Sequence, residues 1–265
     1  MKINSVKRRL KKGEVVLGVS IGIAEPTLVE ILGYAGFDFV LLNAEHNALT
    51  TETINSMIVS AYASDIIPIY RIPSLDNKSL IKTGLDMGAM GILVPNICDS
   101  DEARMVVKAA QYPPKGKRGV GPRRPIQFGK IGLKEYLNKA DEEILICMMI
   151  EDKEAIENID RIVEIPGIDC LVVGPFDLSA SLGVPGEYNH PSVTESVSRV
   201  LNAALPKGIA VGYPVEDKEG LSYWVDKGVR FFECGSVESF ITRQFTNYLE
   251  TLRNGINTKN MKRCK

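Results

Sequence analysis

The chain has 265 residues, with 32 Lys+Arg against 33 Asp+Glu; that balance gives no hint of nucleic acid, and the length suits one large α/β domain or two small ones. Five cysteines (98, 147, 170, 234, 264) show no C-x-x-C spacing, and three of them lie in apolar runs, so they read as reduced core thiols. There is no N-terminal signal region and no window near about 18 apolar residues, which predicts a cytoplasmic protein with no membrane partner.

Asn4 to Lys12 carries Val6 and Leu10 four apart among basic residues, the pattern of a solvated lid helix. Val15 to Ile21 is the first strand candidate, and Pro26 opens a helix over Thr27 to Ala35. The second strand, Phe37 to Leu42, ends in Asn43-Ala44-Glu45-His46-Asn47. Helix Thr51–Ala63 precedes strand Ile67–Tyr70, which ends at Arg71. Helix Lys78–Met87 stops at Gly88, strand Gly91–Val94 ends at Pro95-Asn96, and Asp101–Gln111 is a helix. A Gly- and Pro-rich loop, Tyr112 to Gly129, is followed by a short helix, Lys134–Lys139.

Strand Ile144–Ile150 then delivers Glu151, and helix Lys153–Val163 leads to strand Cys170–Gly174, with Asp177 just past its end. A helix from His190-Pro191 to about Leu205, strand Ile209–Tyr213, helix Lys218–Lys227, strand Val229–Glu233 and helix Val237–Leu252 complete the series before a basic tail. The strands are short apolar runs without a period of two, as in strands buried on both faces. Eight strand–helix units predict a parallel sheet closed into a (β/α)8 barrel, residues 1–265 as a single domain. The first strand is not followed by G-x-G-x-x-G, which would have supported a doubly wound sheet.

In such a barrel every strand's C-terminal end faces one mouth, where active sites are built. The residues delivered there are Glu45, His46, Arg71, Glu151 and Asp177, and no lysine, which disfavours Schiff-base chemistry. Adjacent strands lie about 4.8 Å apart, so Glu151 and Asp177 repel each other unless a cation sits between them. Oxygen-only ligation with places left for water and substrate suits Mg²⁺ or Mn²⁺ better than zinc. The competing reading makes each acid the cap of the helix that follows it. His46, after a buried strand and beside Glu45, reads as a base or proton shuttle. Arg71, at the end of an apolar strand, reads either as the partner of a core carboxylate or as presented to an anionic substrate. His190, before a proline, reads as a helix-cap neighbour.

Several segments resemble the HpcH/HpaI aldolases, class II metal-dependent enzymes that cleave 4-hydroxy-2-oxo acids. They are G-F-D-F-V-L-L-N-A-E-H-N (36–47), R-I-P (71–73), L-D-M-G-A (85–89), Y-P-P-K-G-K-R-G-V-G (112–121), M-I-E (149–151), V-G-P-F-D-L-S-A-S-L-G (173–183) and H-P (190–191). The resemblance implies a pyruvate-type (β/α)8 barrel and a homo-oligomer, usually a hexamer, whose last helix packs on a neighbouring subunit. It implies Glu151 and Asp177 as ligands of Mg²⁺ or Mn²⁺ (Co²⁺ a further option), with Glu45 holding a water of the metal shell. Arg71 would neutralise the enolate oxygen, His46 would move the hydroxyl proton, and Gly174, Pro175 and Phe176 would border the bound pyruvate. Asp86 matches a family acid close to the site.

One residue departs from the family's Asp-x-Glu-His: this chain has Asn43, which can orient an imidazole but cannot stabilise its cation by charge. Four consequences are open: activity is weak, Asp86 or Glu45 substitutes, the chemistry shifts to decarboxylation of an oxaloacetate-like diacid, or the barrel merely binds a 2-oxo acid. Arg123 and Arg124, in the loop after R-G-V-G, are candidates to meet a distal carboxylate.

Overall fold

A computed structural model of the chain describes residues 2–263, with side chains described to residue 256. Eight strands form the frame: β1 Val16–Ile21, β2 Phe39–Asn43, β3 Ile67–Arg71, β4 Gly91–Val94, β5 Leu145–Ile150, β6 Cys170–Val173, β7 Ala210–Pro214 and β8 Phe231–Ser236. All neighbours pair in parallel, and β8 returns to β1 to close the barrel. Helix α1 is Ser5–Lys11. The intervening helices are α2 Pro26–Tyr34, α3 Thr51–Ala63, α4 Ser79–Met87, α5 Ser100–Ala110, α6 Leu133–Glu143, α7 Lys153–Glu157, α8 Ile159–Ile162, α9 Pro175–Ser181, α10 Pro191–Ala204 and α11 Lys218–Lys227; α12 is Val237–Arg263. The architecture is a (β/α)8 barrel.

Strand alternation divides the core in two. Val40, Leu42, Ile92, Ile146, Leu171 and Val211 face the helices, while Phe39, Leu41, Ile69, Leu145, Cys147 and Phe231 fill the barrel. Stacking of Phe39 on Phe231, with ring centroids 4.2 Å apart, needs an empty place opposite, and Gly18 provides it. A Cβ on Gly18 would lie 2.3 Å from the Phe39 ring. Along several strands the interior positions turn polar toward the C-terminal end, as from Leu41 to Asn43 and from Ile69 to Arg71. The packed floor thus gives way to a polar mouth.

Helix α1 corrects the expectation of a solvated lid. Val6, Leu10 and even Lys7 are buried, and the helix seats on the end of the barrel opposite that mouth. Asn4 Nδ2 donates to the carbonyls of Met90 (2.8 Å) and Glu143 (3.0 Å), and Lys7 Nζ pairs with Asp169 at 2.8 Å. Those contacts satisfy backbone and charge that the barrel's lower rim would otherwise bury unpaired.

Other boundaries shift for local reasons. The expected helix over 153–163 breaks into α7 and α8 at Asn158, whose side chain donates to the carbonyl of Cys98 at 3.0 Å. Residues 124–129 of the long loop form a 3-10 turn, α6 extends beyond its expected end, and α12 continues through most of the expected tail. Cys147 and Cys170 are buried free thiols, whereas Cys98 and Cys234 are partly exposed; Cys264 lies outside the described residues. Among the described residues no helix is long and apolar enough to cross a membrane.

Candidate active site

The mouth holds a cleft of about 420 Å³ whose walls include Asn43, His46, Arg71, Glu151, Asp177 and Glu233. A cavity of about 380 Å³ near Tyr62 and Arg124 differs in kind, because Glu143 is the one acid in its walls and Arg8 and Asn4 engage it.

The strands set the positions. β2 ends at Asn43 and β3 at Arg71, register partners in the sheet, so both side chains enter the barrel at one level. Arg71 is paired with Glu45 and lies 3.7 Å from Glu151. Glu151 is 3% exposed. Its Oε1 accepts from the backbone N–H of Asn96 at 2.8 Å, while its Oε2, also buried, has no hydrogen-bond partner. Burial raises its pKa, and the charges of Glu45 and Asp177 add to that against Arg71 and the Asn96 amide. Glu45 is raised as well, first by burial and then by Asp177, with Arg71 opposing.

The competing cap reading does not hold. Asp152, not Glu151, caps α7, accepting from Glu154 N–H at 2.7 Å. Gly174 occupies the N-cap of α9, which leaves Asp177 in the first turn. Gly174 also makes room for the acid: a Cβ there would stand 2.7 Å from Glu151 Oε2. A buried oxygen without a hydrogen-bond partner, a glycine-made space beside it and a second carboxylate on the same cleft suit a hard divalent cation. The donor set is all oxygen.

The ligand atoms of Cys98, Asp152 and Glu154 also lie within 4.8 Å of one another. In that group Asp152 is already engaged, accepting from Glu154 N–H at 2.7 Å and from Ser181 Oγ at 2.8 Å.

His46 Nε2 is 3.6 Å from Glu45 Oε2, and its side chain is 57% exposed. Asn43 Oδ1 accepts from the N–H of Glu45 at 3.2 Å, so the carboxamide fixes the loop. Gly174, Pro175 and Phe176 border the cleft, and Phe176 packs edge-on to Tyr188 at 4.8 Å. Asp86 is placed elsewhere: it pairs at 2.6 Å with Arg118, a buried guanidinium lying over the Tyr112 ring, and it is not among the cleft's walls. Arg124 is likewise turned away, its Nε donating to the carbonyl of Met87 at 3.0 Å. His190 caps α10, its Nδ1 accepting from Ser192 N–H at 3.2 Å.

Three contributors had weaker signals. Ser20 and Glu233 enter the cleft from β1 and β8; the one available hint was the acid inside the apolar run F-F-E-C. Asn96 presents its amide to Glu151 from a left-handed conformation, φ 55°, a backbone that Asn tolerates better than most residues.

A closed parallel barrel with converging carboxylates, one arginine and no lysine in the walls of the cleft has the make-up of a class II aldolase. The family model described as HpcH/HpaI aldolase/citrate lyase matches residues 17–242, and the chain belongs to that family. It is 36% identical over 231 residues to a hydroxypyruvate/pyruvate aldolase of Roseobacter denitrificans, covering 86% of this chain and 89% of that one. It is also 36% identical to a 2-keto-3-deoxy-L-rhamnonate aldolase of Escherichia coli, covering 79% and 78%. Among solved structures, citrate synthase SbnG superposes with a TM-score of 0.86 at 33% identity, covering 95% of this chain and 98% of that one. With these relatives the chain is an enzyme, a class II aldolase.

Proposed function

We propose that the enzyme cleaves 4-hydroxy-2-oxo acids to pyruvate and an aldehyde. The observation that carries this reading is the meeting of Glu151, with its unpartnered buried oxygen, and Asp177, Arg71 and the Glu45–His46 pair on one cleft. Glu151 and Asp177 would hold Mg²⁺ or Mn²⁺, Co²⁺ being a further option, with Glu45 beside them to hold a water. The cation, when bound, supplies Lewis-acid polarisation of the substrate's 2-oxo group.

His46 takes the proton of the 4-hydroxyl group, and Glu45, at 3.6 Å, stabilises the resulting imidazolium. The C3–C4 bond then breaks, its electron pair passing toward the 2-oxo oxygen while the aldehyde departs. Arg71, whose Nε has no hydrogen-bond partner, neutralises the charge that develops on that oxygen. Protonation at C3 yields pyruvate. Gly174, Pro175 and Phe176 border it.

The position of Glu45 favours the aldolase over decarboxylation of a 2-oxo diacid, because His46 has an acidic neighbour despite Asn43. A homo-oligomer belongs to the same reading, with Phe240, Phe245, Tyr248 and Leu252 left exposed on α12.

Pyruvate release from a panel of 4-hydroxy-2-oxo acids and oxaloacetate tests the proposal. Release from the hydroxy acids should disappear with a chelator and in Glu151→Ala. Release from oxaloacetate alone would establish the decarboxylase instead, and silence on every substrate would remove both.

A further inference from the structure

Glu233 is an acid that the mechanism above does not use. It occupies an interior position of β8, two residues beyond Phe231 of the barrel-filling stack, in the same cleft walls as Ser20 and Arg71; burial raises its pKa, opposed by the charge of Arg71 and then by Ser20. It stands where two clefts meet. A second cleft, about 430 Å³, shares Pro175, Phe176, Pro214, Glu233 and Ser236 with the first. The remaining walls of this second cleft include Tyr188, Tyr213, Trp224, Glu216 and Asp217, with no lysine or arginine among the residues that form it. Asp217 is engaged as the cap of α11, accepting from Gly220 N–H at 2.7 Å.

We propose that Glu233 determines substrate specificity: it admits 4-hydroxy-2-oxo acids whose distal part is uncharged and hydroxylated, and rejects those that end in a second carboxylate. The inference rests on the aldolase reading and adds the substrate class. Charge is the reason. Glu151, Asp177 and Glu233 share the cleft's walls with Arg71 as the one guanidinium, and Glu45 already pairs with Arg71, so acids outnumber cationic side chains there. The substrate's own carboxylate is served by the cation, but a second one in the adjoining cleft meets Glu233 and Glu216 with no cation opposite. Of Arg123 and Arg124, the residues that the sequence offers for a distal carboxylate, neither lines either cleft, and Arg124 is held at Met87 and Asn55. Hydroxyl groups, by contrast, find carboxylate acceptors there, and the rings of Phe176, Tyr188 and Trp224 offer apolar faces to a sugar-like carbon chain.

The test uses two matched six-carbon 4-hydroxy-2-oxo acids, one ending in a hydroxymethyl group and the other in a carboxylate. Wild type should prefer the first in kcat/KM. Glu233→Gln, which keeps the shape and removes the charge, should narrow the preference about tenfold, the size of a screened like-charge contact, mainly through the KM of the dicarboxylate. Glu233→Asp should retain the preference. An unchanged ratio in an active Glu233→Gln enzyme overturns the proposal, and Glu233→Ala reads the same ratio should the Gln variant fail to fold. Metal-dependent exchange of the pyruvate methyl protons in D₂O, measured on each variant, separates the two levels. Exchange without the expected ratio sinks the specificity role alone, whereas no exchange in wild type sinks the aldolase reading and this inference with it.

Discussion

Glu45 stands between Arg71, its ion-pair partner, and the His46 ring 3.6 Å away. This arrangement bears on the departure at position 43. Where the family pattern has an aspartate, Asn43 here accepts a backbone N–H, a task that either side chain performs. Glu45→Gln should therefore lower kcat by roughly 10²–10⁴-fold, the usual worth of an assisted proton transfer, while Asn43→Asp stays close to wild type. Steady-state kinetics with a hydroxy-oxo acid checks both. A large gain in Asn43→Asp would instead mean that His46 lacks a working partner in this chain.

At the level of elements, the site depends on how closely β5 and β6 approach. The two strands pair from Cys147↔Cys170 to Ile150↔Val173, so Glu151 and Gly174 emerge side by side, and α9 starts at once with Pro175. A methyl group on Gly174 would meet Glu151 Oε2 at 2.7 Å, Met149 Cε at 2.8 Å and Glu151 Cβ at 2.9 Å. Gly174→Ala should fold, since the crowded atoms border an open cleft, yet bind Mn²⁺ about 10–100-fold more weakly, as when support of a metal ligand is lost. Titration calorimetry measures this. Unchanged affinity would place the cation away from Glu151. The strand ends were legible in the sequence because apolar runs stop at charged or polar residues, glycine or proline. The seat of α1 was not, since a basic amphipathic segment looks alike whether water or the rim of a barrel covers it.

For the molecule as a whole, the buried carboxylates link stability to pH and metal. Glu151 and Glu45 have pKa values raised above the usual 4.5, chiefly by burial. A carboxyl group of this kind favours the fold fully below its unfolded pKa, and that contribution is lost as pH rises through the folded value. Above those folded values the metal-free protein carries charged, poorly hydrated acids that a cation relieves. At about a hundred times Kd, Mn²⁺ should add roughly 2.7 kcal/mol, or about 5–10 °C in Tm for a chain of this size. The gain should shrink as pH falls toward 5, because protons compete for the same oxygens. Thermal melts at two pH values check this, and a gain that grows on acidification would contradict it.

What the sequence determined by itself is the barrel, its mouth and most of the residues that meet there. The strands are short, mostly apolar runs, two of which end directly in a charge (β3 in Arg71, β5 before Glu151), and parallel closure sends all their ends to one side. Tertiary structure decided the partners. Asp86 is carried by α4 to Arg118, and Glu233 is brought under Arg71 by the closure of β8 onto β1. Charge pairing depends on which elements lie across from each other in space, and no local pattern of apolar and polar residues records that.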